Sequence, residues 1–236
     1  PYAAKLKWEM GIGTKHVQDA SYPFLIQEKY RAGYFTHYAG EGTVRSAKLT
    51  YQGEEVDLCL CRTKAQFSEE VMKKGKKKRI LTLEPVEIEF STLRLKLQTK
   101  VIFEEGSSNI QIQRYILEMS DPVAKVELNE YMVACYGTTE YPEDMMGIQL
   151  ACMKGEESRD ISYAYKCREE SLEGAESVSA VIPAIETKVS LSTDRSDARG
   201  YVREGYAFSP MFTLGYQTEI SDKEGISTWL SLEKAN

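Results

Sequence analysis

An all-β protein, built as a large antiparallel β-sandwich of two packed sheets, is the fold class this sequence predicts. Three observations predict it. Apolar residues recur with a period of two through most of the chain, short polar turns separate the runs, and the runs change parity where a long strand has to bend. The stretch from Leu93 to Gly147 is the clearest. Leu93, Leu95, Leu97, Thr99, Val101 and Phe103 fall on one side, and Arg94, Lys96, Gln98 and Lys100 on the other, giving one dry face and one wet face. Polar breaks at Glu104 to Asn109 and at Ser120-Asp121-Pro122 set off Ile110 to Met119 and Val126 to Tyr136, so the unit reads as an antiparallel meander.

The other elements follow in chain order. Tyr2 to Trp8 alternates as an edge strand. Gly11-Ile12-Gly13 is a turn that lacks the third glycine and the strand–helix context of a dinucleotide loop. Tyr22 to Tyr30 is short and mixed, and Gly33 to Gly40 is dense in aromatics. Val44 to Tyr51 and Val56 to Arg62 read as a hairpin with Gly53 in the turn. One short helix is expected near 64–74. Thr63 and Gln66 have capping-box form, Phe67, Val71 and Met72 would share a face, and Gly75 fits the position just past the end. Lys73, Lys74 and Lys76 to Arg79 would then be a solvated basic loop, or a docking patch for an anionic partner.

Val86, Ile88 and Phe90 are even-numbered whereas Leu93 and Leu95 are odd, so a bulge or bend near Ser91-Thr92 has to absorb the slip. Tyr115, Leu117 and Met119 show the same change relative to Ile110 and Ile112. Further strands are expected over Ile148 to Met153, Ile161 to Cys167, Val178 to Ile185, Thr187 to Ser192, Tyr201 to Arg203, Ala207 to Ile220 and Thr228 to Leu232. Glu169 to Ser177 and Ser192 to Gly200 read as loops.

Composition bounds the rest. The chain has 236 residues, 42% hydrophobic and 28% charged, without a Pro/Gly/Ser-rich linker, which fits a single sandwich domain over 1–236. No apolar run approaches the roughly 18 residues of a membrane helix, and no leader opens the given chain. Five cysteines, Cys59, Cys61, Cys135, Cys152 and Cys167, make an odd and irregular set, read as reduced thiols in a cytoplasmic protein; Cys59 and Cys61 would share one face of a strand. A net charge of −6 argues against a nucleic-acid surface. His16 and His37 are the only histidines, and no EF-hand spacing occurs, so no metal site is expected.

The meander Leu97 to Tyr136, ending in Leu128-Asn-Glu-Tyr-Met-Val-Ala-Cys-Tyr-Gly137, resembles the middle strands of the galactose-mutarotase-like supersandwich. Aldose epimerases and sandwich domains of polysaccharide lyases and glycoside hydrolases share that architecture. The resemblance covers about residues 93–147 and implies a sandwich that faces a sugar or uronate, with no nucleotide cofactor.

Two concentrations of residues suit such a ligand. Tyr136 to Asp144 brings two tyrosines and three carboxylates, among them Glu140 and Tyr141, to a strand end; the plain alternative is a surface loop. Tyr201, Arg203, Glu204 and Tyr206 form the second. His37, between Phe35 and Tyr38, is the one group of the set that titrates near neutrality, or else a core histidine. In a catalytic reading, His37 or Tyr136 is acid or base for elimination or epimerisation with Glu140 as partner. Arg203 then clamps negative charge, and Tyr141 and Tyr206 bind substrate. The other reading is a non-enzymatic sandwich subunit that joins a second copy or a partner in a larger assembly.

Overall fold

The computed structural model describes residues 42–58, 61, 63–72, 75–135, 147–164, 166–183, 186–206 and 209–235. The expected elements between Tyr2 and Gly40 lie outside them. The described residues form β1 (Gly42–Tyr51), β2 (Glu54–Asp57), β3 (Ala65–Val71), β4 (Lys77–Leu83), β5 (Val86–Glu89), β6 (Arg94–Glu104), β7 (Ile110–Met119) and β8 (Val126–Cys135). Then come β9 (Gln149–Lys154), β10 (Glu157–Ser162), β11 (Glu169–Glu173), β12 (Ser177–Ile182), β13 (Thr187–Thr193), β14 (Arg199–Tyr206), β15 (Ser209–Ile220) and β16 (Gly225–Lys234). One sheet has the order β11-β14-β15-β8-β1-β2. The other runs β10-β9-β12-β13-β16-β7-β6-β4-β3, with β5 added on β6.

Alternation builds the core. Leu49, Leu128, Met132, Phe212, Leu214 and Tyr216 point inward from the six-stranded sheet. They meet Leu97, Ile116, Leu150, Val189, Leu191 and Leu230 of the ten-stranded sheet in one buried cluster, the arrangement of an all-β sandwich. Polar bonds cross the same interface. The Tyr216 hydroxyl donates to the Leu191 carbonyl at 3.1 Å, and the Cys152 thiol to that of Gly200 at 3.7 Å. Burial pushes the Cys152 thiol up to about 12. Arg114 on β7 reaches Glu130 on β8, its Nε on Oε2, while its Nη1 donates to Thr99 Oγ1 at 3.0 Å. The two charged side chains are 9% and 0% exposed, a cross-sheet ion pair inside the core.

Several expectations hold in detail. The β1–β2 hairpin turns on Gln52 and Gly53, both at positive φ (49° and 84°), the backbone that a two-residue hairpin needs. The parity slip at Ser91-Thr92 is a chain reversal. β5 pairs antiparallel with β6, and Phe90 N–H donates to Leu93 O at 2.8 Å, so Ile88, Phe90, Leu93 and Leu95 are all buried.

Other expectations are corrected. Where a helix is expected over 64–74, the described residues 64–72 hold none: β3 and β4 pair as antiparallel neighbours, with Met72 N–H donating to Lys76 O at 2.6 Å and Gly75 at φ 74°. Residues four apart share a face in a strand as well as in a helix, so the Phe67/Val71 spacing fits both, and pairing of β4 with β6 decides. Glu169–Glu173, read as loop, is the edge strand β11. The inward parity of β7 continues through Arg114 and Ile116, slipping at Leu117, and Tyr115 is 43% exposed. A buried arginine stands where apolar periodicity gives no cue. The strand expected over Ile161 to Cys167 ends at Ser162, and Cys61 follows β2 outside any strand. Cys61, Cys152 and Cys167 are free thiols. Among the described residues no helix is long and apolar enough to cross a membrane.

Candidate functional site

β14 lies between β11 and β15, and its period of two divides its chemistry between the two faces. Gly200, Val202 and Glu204 are buried, with Gly200 packed against Ala175, Val178 and Tyr216 in the core. Arg199, Tyr201 and Arg203 line up on the outer face. Glu169 of β11 sits directly opposite Arg203. Its Oε2 accepts from Arg203 Nε at 2.7 Å and Nη2 at 2.5 Å, and its Oε1 accepts from Arg199 Nη2 at 3.3 Å. Arg199 Nη1 donates to Oε1 of Gln217, its partner on the neighbouring β15, at 3.0 Å. One carboxylate thus serves two guanidinium groups, with the exposed Glu173 of β11 opposite Arg199 on the same face, where Arg203 is 57% exposed.

Tyr201 fills the space between the arginines. Its hydroxyl donates to Asn129 Oδ1 on β8 at 2.9 Å, which carries the side chain over β15. Gly215 makes that path available: a Cβ there would come within 2.5 Å of the Tyr201 ring. The Arg203 guanidinium carbon stands 5.8 Å from the ring centroid, a cation–π distance. Burial pushes the Tyr201 phenol up to about 12, so near neutrality it is a hydrogen-bond donor rather than a base.

Behind this face, Glu204 fixes the segment that leads into β11. Its carboxylate accepts from the amides of Ala164 (2.7 Å) and Lys166 (3.0 Å) and from Arg168 Nε (2.7 Å). Its own N–H donates to Arg168 O at 2.9 Å, and Arg168 Nη2 also reaches the Ser162 carbonyl. Burial alone would raise the Glu204 carboxyl, but the Arg168 guanidinium and the two amides outweigh it and hold it below the usual range. Since Glu169 follows Arg168 directly, this anchor sets where Glu169 meets Arg203.

Of the residues singled out from sequence, Arg203 is on this face, with Tyr201 beside it and Glu204 behind it. Tyr206 ends β14, paired with Ser209. His37, Tyr136, Glu140 and Tyr141 lie outside the described residues. Glu169, Arg199, Asn129 and Gln217 were not singled out. Arg199 shares the odd parity of Tyr201 and Arg203, a signal that was legible; Glu169 became visible only through strand pairing. No group of three or more His, Cys, Asp or Glu that could hold a metal occurs among the described residues.

No protein-family model and no curated protein matches the chain. Solved structures do. A protein assigned as an aldose 1-epimerase from Klebsiella pneumoniae superposes with a TM-score of 0.54 at 9% identity, covering 82% of this chain and 63% of that one. The α-N-acetylgalactosaminidase NagBb of Bifidobacterium bifidum, in complex with GalNAc, gives 0.53 at 9% identity, covering 80% of this chain and 31% of that one. The chain therefore spans less than two thirds of either neighbour. At such identities the likeness speaks for the fold alone, and it supports the resemblance to a galactose-mutarotase-like β-sandwich.

Proposed function

We propose that the chain is a carbohydrate-binding β-sandwich that holds a sugar or uronate on the outer face of its six-stranded sheet. The observation that carries the reading is the row Arg199–Tyr201–Arg203 with Glu169 and Asn129. It combines charged donors and a carboxylate acceptor on a sheet face, groups that recognise ring hydroxyls and a sugar carboxylate, while the buried Tyr201, its hydroxyl spent on Asn129, supports them from beneath. The two neighbours named for an epimerase and a glycosidase give the reading its carbohydrate context. The finer form of the proposal is epimerase- or lyase-like proton abstraction, with His37 or Tyr136 as acid or base, Glu140 as partner, and Tyr141 and Tyr206 against the substrate. Tyr201, buried and bonded to Asn129, positions Arg203 in this scheme rather than touching the ligand.

A thermal-shift panel of mono- and oligosaccharides, uronates included, tests it. A ligand at about 100 times its Kd adds about 2.7 kcal/mol, roughly 5–10 °C for a domain of this size. No shift across the panel would remove the proposal. A second reading, a non-catalytic subunit of an assembly, has its own observation. β3 is an edge strand on which Phe67 is 64% and Val71 74% exposed, open to pairing with another chain. A stable oligomer by light scattering, with a silent sugar panel, would favour it.

A further inference from the structure

The outer face of the ten-stranded sheet has a different composition. Trp229 of β16 sits opposite Gln111 of β7 on one side and Ser192 of β13 on the other. Ser227 and Ser231 flank it along its own strand, and Gln113 lies diagonally across, opposite Ser227. All six are half-buried, because the inward positions of β16 are Ile226, Thr228 and Leu230. The Ser231 hydroxyl donates to Asn109 Oδ1 at 2.7 Å, adding one more uncharged group to the surround. Tyr115, exposed at 43%, stands four residues from Gln111 on the same face of β7, roughly 13 Å away along the strand. Among the described residues charge stands further out, with Lys100 across from Gln113, Glu233 four residues along β16 opposite Lys188, and Asp194 just past β13.

We propose that this face is a binding platform for an uncharged glycan chain, separate from the Arg203 face. An indole offers an apolar plane to the C–H side of a pyranose, while amides and hydroxyls around it exchange hydrogen bonds with the ring hydroxyls. A second aromatic further along the same strand direction suits a polymer laid across the sheet better than a single sugar. Protein interfaces are depleted in serine and gather apolar residues at their centre, the reverse of what surrounds Trp229. A nucleic acid would need a basic field that this face lacks. The platform stands or falls independently of the Arg203 site, since the two lie on opposite outer faces of the sandwich.

Native electrophoresis in gels containing a soluble neutral β-glucan or galactomannan, with polygalacturonate in parallel, tests it on the full chain. The neutral polymers should retard the wild type. Trp229→Ala should weaken retardation at least about tenfold, and Gln111→Ala/Gln113→Ala, which leaves the indole in place, should weaken it several-fold. Val123→Ser, an exposed turn position in neither proposed site, should migrate like the wild type in the neutral gels. Three results would overturn the platform. They are no retardation by any neutral polymer, retardation lost in Arg203→Ala but kept in Trp229→Ala, or a light-scattering change from dimer to monomer in Trp229→Ala.

Discussion

Between the sheets, Arg114 faces Glu130 with both side chains almost wholly out of water; outside the six-stranded sheet, Arg203 faces Glu169 with the arginine side chain more than half exposed. The chemical groups are the same, and the surroundings give them different work. In the interior a charge released from its partner has no water to turn to, so the pair constrains how β7 and β8 stack. On the surface, water replaces a lost partner at little cost, so Arg203 and Glu169 contribute little to stability and are available to a ligand. Arg168 with Glu204 stands between these cases: the carboxylate is buried and the guanidinium reaches solvent.

The contrast can be broken by substitution, and the interior should give the largest effect. Arg114→Met strips Glu130 of this cation and should cost about 3–5 kcal/mol in urea unfolding. Arg114→Met/Glu130→Leu should recover most of the loss, because an apolar pair of similar volume needs no desolvation of charge. A double variant as unstable as the single one would show that the pair does more than offset its own burial.

Glu204→Gln comes next, at about 1–3 kcal/mol near neutrality. Its pH dependence sharpens the point. The Glu204 carboxyl is lower in the folded chain than in the unfolded one, so its contribution is complete above the ordinary glutamate value of about 4.3. That contribution is lost as pH falls through the depressed folded value. Wild type and variant should therefore converge in stability toward acid, and a gap that stays constant down the acid limb would contradict the assignment. The smallest effect on stability is expected for Arg203→Ala, within about 1 kcal/mol of wild type.

The sandwich was legible because burial on one face imposes a period of two that no other element mimics over ten residues. It failed where that signal is short or shared. Phe67 and Val71, four apart, serve a helix and a strand equally, and β11 turns only Leu172 fully inward. The site was half legible for a related reason. Tyr201 and Arg203 declare themselves by parity on one strand, whereas Glu169 is 34 residues from Arg203 and becomes its partner only when β11 pairs with β14. Arg114 was invisible for the opposite reason: its place in the pattern belongs to an apolar residue, and only the Glu130 carboxylate across the core accounts for a charge there.

The most direct test of the sugar face is calorimetric titration of wild type and Arg203→Ala with whichever sugar or uronate gives the largest thermal shift. The account predicts affinity at least about tenfold weaker in the variant, a loss of about 1.4 kcal/mol or more, while its melting temperature in the absence of ligand stays within a few degrees of wild type. Equal affinity in the two proteins would contradict it.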